Sequence, residues 1–81
     1  MNIEQIIFNI LQENPQAWVR YWKNKEISGI SLPGEYIEIR SHFLSANTLL
    51  EILEAGFKIQ TISSKQIGPD SYCDVLFKRE I

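Results

Sequence analysis

Apolar and polar residues alternate from Tyr36 to Phe43, with Ser41 as the polar exception on the apolar side. Successive strand side chains point to opposite faces, so Ile37, Ile39 and Phe43 share one face and Tyr36, Glu38, Arg40 and His42 the other. A helix would scatter both sets. The rhythm changes near residue 44. From Ser45 to Phe57, Ala46, Leu49, Leu50 and Leu53 follow the spacing of an amphipathic helix. Ser45 is placed to cap its start, Gly56 suits the left-handed position that closes a helix, and Phe57 would fold back onto Ile52. Lys58–Ser63 returns to an extended pattern in which Ile59 and Thr61 point one way. Ile62 breaks the phase, the mark of a bulge or of an apolar residue on the outer face.

The flanking segments are read against this strand–helix–strand unit. Ile3, Ile6, Ile7, Ile10 and Leu11 form a helical stripe that Asn2 can cap, with Phe8 off it. Asn14-Pro15 reads as a break followed by a helix restart. The next segment, Ala17 to Lys25, fits two patterns. As a strand it alternates Trp18, Arg20 and Trp22 against Ala17, Val19 and Tyr21; as a helix it stacks Trp18 on Trp22. The Asn-Pro start tips the reading toward a short helix. Glu26–Gly34 is a connector with turn signals at Gly29 and Pro33-Gly34. Ser64–Ser71 is a loop with Gly68-Pro69-Asp70 at its tip. Tyr72–Glu80 is a strand with Cys73, Val75 and Phe77 facing the core.

The expected fold is a single α+β domain over residues 1–81. One N-terminal helix, or two, precedes β-α-β-β. The three-stranded sheet carries its helices on one face, because a right-handed crossover sets the second helix against Ile37 and Ile39. The other face collects Tyr36, Glu38, Arg40, His42, Lys58, Gln60, Tyr72, Asp74, Leu76 and Lys78. Either the tryptophan segment covers it or it is open.

Composition narrows the classes of function more than it selects one. A chain of 81 residues buries somewhat over ~60% of its unfolded surface, enough for one thin core. A formal charge of −2 announces no nucleic-acid or membrane partner. The single cysteine, Cys73, cannot form an internal disulfide, which fits a cytoplasmic location. The start of the chain lacks the basic residues of a signal peptide, and no apolar run approaches the ~18 residues of a membrane span.

The candidate chemistry is sparse. His42 is the only histidine, and the carboxylates show no ligand spacing, so neither a metal nor another cofactor is expected. Cys73 alternates inward, which argues against a nucleophile. The four glycines are isolated, which excludes a phosphate loop. The sequence therefore reads as a non-catalytic protein-interaction module, binding a protein partner or a second copy of itself. The candidate residues are Tyr36, Arg40, His42, Tyr72 and Leu76 on the outer sheet face, with free sheet edges as the route to a homodimer. The alternative is a small nucleic-acid-binding protein using Trp18, Arg20, Tyr21, Trp22, Lys23 and Lys25, since interleaved aromatic and cationic residues hold single strands.

Overall fold

A computed structural model describes residues 2–80, apart from the side chains of residues 25–27, 31, 32 and 67. The class is α+β. In chain order the elements are α1 (Ile3–Glu13), β1 (Trp18–Ile27), β2 (Ile30–Ser41), α2 (Ala46–Glu54), β3 (Lys58–Ile67) and β4 (Asp70–Arg79). The sheet has four strands rather than the three expected, in the order β1-β2-β4-β3, and every neighbouring pair is antiparallel. Two hairpins thus meet through β2 and β4. The chain passes from β2 through α2 to β3 on the far side of β4.

The extra strand is the tryptophan segment, read from sequence as a helix. Asn14 closes α1 instead of opening a new helix: its backbone N–H and side-chain amide both donate to the Ile10 carbonyl. The run after Pro15 is aromatic and β-branched, which suits a pleated surface. The connector then becomes the rest of a hairpin. Ser28 and Gly29 both take positive φ (52° and 78°), the signature of the two-residue turn that matches strand twist. Pro33 is accommodated at a bulge, where Pro33 and Gly34 together stand opposite Asn24. The expected loop at residues 64–71 is likewise a tight hairpin. Ile67 pairs with Asp70 across Gly68-Pro69, with Gly68 at φ 59°.

The core forms between the helices and one face of the sheet. Ile6 and Ile10 of α1, Ile52 of α2 and Phe57 pack on Ile37 and Ile39 of β2 and Val75 and Phe77 of β4. Val19 and Tyr21 of β1 join its margin. Both helix starts are capped as the sequence implies: Asn2 accepts from the Gln5 N–H and Ser45 from the Thr48 N–H. The end of α2 closes with Phe57 N–H on the Ile52 carbonyl and Gly56 N–H on the Leu53 carbonyl, with Gly56 at φ 97°.

Three details differ from the sequence pattern. The buried side of α2 is Thr48 and Ile52, while Leu50 and Leu53 are exposed. Thr48 can be buried because its hydroxyl donates to Glu13 (2.7 Å) and accepts from Asn14 (3.2 Å), so α1 satisfies it. Phe43 lies beyond the end of β2 and is 75% exposed. Cys73 has the phase of Val75 and Phe77, yet it is exposed instead of in the core.

Candidate binding face

Cross-strand partners share a face, so the register defines what the helix-free side presents. Three rows cross the sheet there, each running from β1 through β2 and β4 to β3. The first is Trp22, Tyr36, Lys78 and Lys58; the second is Arg20, Glu38, Leu76 and Thr61; the third is Trp18, Arg40, Asp74 and Ser63. Tyr72 and Lys65 pair beyond the third row. The tryptophan segment therefore supplies this face with side chains from within the sheet; it does not lie across it.

The first row is a stack. The Trp22 and Tyr36 rings lie 5.4 Å apart and nearly parallel, at 10°. Arg20 sits over Trp22 at 4.8 Å and Lys78 over Tyr36 at 5.8 Å. No guanidinium fits between rings 5.4 Å apart, so Arg20 lies on the side of Trp22 away from Tyr36. The order is cation, ring, ring, cation, each contact favourable by ring electrostatics. The stack seals Tyr36, which is only 4% exposed. Tyr36 is thus a structural member of this layer, and the expectation that it offers a contact surface is corrected.

A second aromatic group surrounds Arg40. Its guanidinium lies 5.1 Å from the Trp18 ring centre and 5.4 Å from that of Tyr72. Its Nε and Nη2 both donate to one oxygen of Asp74, at 3.3 and 3.1 Å, and this pairing holds the Arg40 pKa above its usual value. Lys65 approaches the same oxygen at 3.8 Å. Asp74 is 7% exposed, a carboxylate kept in a half-dry layer by its cations. Glu38 is its neighbour. Burial first, then Asp74, raises the Glu38 carboxyl above its ordinary range, against the pull of Arg40 and Arg20.

Charge is unevenly spread. Arg20, Arg40, Lys58, Lys65 and Lys78 are five of the eight Lys and Arg residues, and all lie on this face. By the same alternation Glu38, Asp70 and Asp74 share it, and Glu80 ion-pairs with Lys78 at 3.4 Å. Among the described residues the face thus mixes five cations with four acids, on a chain of net charge −2.

No family model matches the chain, and neither curated proteins nor solved structures gave a match.

The candidate residues separate accordingly. Arg40, Tyr72 and Leu76 lie together on the helix-free face, with Tyr72 and Leu76 half-buried. His42 stands at its end, exposed, with Nδ1 donating to the Ser71 carbonyl at 2.7 Å. Of the alternative set, Trp18, Arg20 and Trp22 join this face. Tyr21 and Lys23 are on the helix side, which splits that set; the Lys25 side chain lies outside the described residues. Lys65 was missed because the sequence reading placed it in a loop, and only its alternation with Ser63 could have assigned its face.

Two further polar clusters serve the fold. Arg79 donates to Glu35 (2.5 Å) and to the Ala55 carbonyl at the end of α2, and Tyr21 donates to the other Glu35 oxygen (2.8 Å). The Arg79 bond keeps the Glu35 carboxyl low despite burial, while burial and Glu35 raise the Tyr21 phenol. Glu13 accepts from the Ser45 and Thr48 hydroxyls, which lower its pKa and tie α1 to the start of α2. Among the described residues, no three His, Cys, Asp or Glu side chains gather to hold a metal ion, and no helix is long and apolar enough to cross a membrane.

Proposed function

We propose that this protein is a non-catalytic cytoplasmic module that binds another protein through the helix-free sheet face. One observation carries the reading: an uncovered face brings together two tryptophans, Tyr72, Leu76 and five of the eight Lys and Arg residues. Tryptophan, tyrosine and arginine are the side chains that dominate protein interfaces. Such surfaces need an anchor that leaves water on binding and a rim that steers the approach. Trp18, 45% exposed, and Leu76 supply the first; Lys58, Lys65 and Lys78 supply the second. The outer edges of β1 and β3 support self-association as a variant, because an unpaired edge can add a strand from a second copy.

The cations also favour a second reading, single-stranded nucleic acid. Base stacking requires an open ring face, and the stack of Arg20, Trp22, Tyr36 and Lys78 uses those faces internally. That contrast ranks the protein partner first.

Photo-cross-linking separates the readings. A benzophenone side chain in place of Leu76, compared with one in place of exposed Phe8 on α1, is irradiated in the source cells. Protein adducts from position 76 and not from position 8 are expected. Nuclease-sensitive adducts at position 76 would replace this reading with the nucleic-acid one, and adducts confined to position 8 would place the interface on the helices.

A further inference from the structure

The third row ends in a small depression. Gln16, Trp18, Arg40, Ser41, His42 and Tyr72 border a pocket of about 190 Å³. Trp18 and Tyr72 contribute aromatic surface, and Arg40 lies against both rings. Asp74 occupies the Nε and Nη2 side of the guanidinium, and Nη1 makes no hydrogen bond among the described residues. His42 is pinned at the rim. A carbonyl only accepts, so Nδ1 carries the proton shared with Ser71, and Nε2 is the ring's remaining polar atom.

We infer that this pocket receives the carboxylate of a single aspartate or glutamate side chain presented by the partner protein. The inference rests on the sheet-face reading above and adds the chemistry of the partner. Three features select that occupant. The first is size: pockets for whole small molecules start at roughly 300 Å³, so this one takes a side chain. The second is charge. Arg20, Arg40 and Lys65 face Glu38, Asp74 and, by strand alternation, Asp70 in this part of the sheet, and of these Arg40 borders the pocket. One carboxylate meets the open edge of Arg40; a run of phosphates would also meet these three acids. The third is shape. Aromatic surface suits the methylenes of an acidic side chain, and the unused edge of a guanidinium suits its carboxylate.

The test is an NMR titration of the full chain with acetyl-Gly-Glu-Gly-amide, its glutamine counterpart, inorganic phosphate and a ten-residue oligothymidylate. The glutamate peptide should move the Trp18 indole and Arg40 Nε signals saturably at millimolar concentration. The glutamine peptide should bind about tenfold more weakly, the scale of one charged hydrogen bond. Trp18→Ala and Arg40→Lys should each weaken the glutamate peptide severalfold. The first removes an exposed ring, and the second keeps the charge but loses the planar fork. Equal response to glutamine, no response at the pocket, or tighter binding of phosphate or oligonucleotide overturns the inference. Shifts at Leu76 and Trp22 with a silent pocket would overturn it while sparing the sheet-face reading. Pocket shifts without cross-links at position 76 would do the reverse.

Discussion

Tyr36→Ala is the sharpest test of the architecture, because sequence and structure assign that residue opposite roles. An exposed interface tyrosine could be truncated at little cost to folding. The structure instead buries it to 4% exposure between Trp22 and Lys78, on the side of the sheet away from the main core. A buried aromatic removes ~150–250 Å² from water, worth about 4–6 kcal/mol at ~25 cal/mol per Å² as an upper bound. Aromatic-to-alanine changes cost ~3–5 kcal/mol in measured cores. Loss of the Trp22 stack belongs to that sum, at about 0.5–1.5 kcal/mol. A chain of 81 residues has roughly 4–12 kcal/mol of total stability. The variant should therefore lose ~3–4 kcal/mol and more than about 12 °C in Tm, measured by urea titration and by melting followed with circular dichroism. Trp18→Ala, on the same face but 45% exposed, is the control and should cost about 1 kcal/mol. If Tyr36→Ala loses under ~1 kcal/mol with an unchanged urea slope, the cation–ring stack does not form and the face is open.

Other consequences follow from single contacts. Gly34→Ala should cost about 1–3 kcal/mol in a urea titration, since Gly34 sits at φ 149° and an added Cβ would lie 3.3 Å from the Arg79 carbonyl oxygen and 3.1 Å from Lys78 Cε. Ser45→Ala should cost ~1 kcal/mol by removing the cap on Thr48 N–H and one of the two hydroxyls on Glu13. Glu38→Gln should stabilise the protein by ~0.5–1 kcal/mol at neutral pH, the scale of a partly exposed charge interaction. The sign follows from linkage: with its folded pKa raised, Glu38 favours folding below the unfolded value, and that contribution is lost as pH rises through the folded value. The gain over wild type should vanish in melts at acidic pH, where both carry a neutral side chain.

The legible parts of the sequence were those where the two faces of an element differ in polarity. Ile37 and Ile39 against Glu38 and Arg40 leave no doubt about a strand or its inward side, and Ser45 and Gly56 bracket α2 by local hydrogen bonding alone. β1 offered no such contrast. Val19 and Tyr21 enter the margin of the core while Trp18 and Trp22 enter the outer layer, so both faces look apolar and the alternation disappears. The Asn-Pro pair then misled, because the same residues that open a helix also end one. The side of α2 that is buried was set by tertiary partners: Thr48 turns inward because Glu13 and Asn14 wait there, while Leu50 and Leu53 stay outside. The face carrying Arg40, Tyr72 and Leu76 was recognisable from β2 and β4, but its aromatic half was hidden with β1.

The two layers on either side of the sheet are built from different physics. The helix side is a dry apolar core of isoleucines, phenylalanines and one valine, with no titratable side chain fully buried in it among the described residues. The other side has no element to cover it, so its long side chains cover one another: rings stack on rings, cations lie over rings, and Asp74 is held by Arg40 and Lys65. A layer of that kind stabilises the sheet less per unit area than packed aliphatic groups, because every charge in it surrenders some hydration. An aliphatic replacement for Glu38 and Asp74 would remove that cost but leave a bare greasy sheet in water, which is prone to association. Carboxylates at the centre of the face keep it wettable and set its charge to a small positive excess.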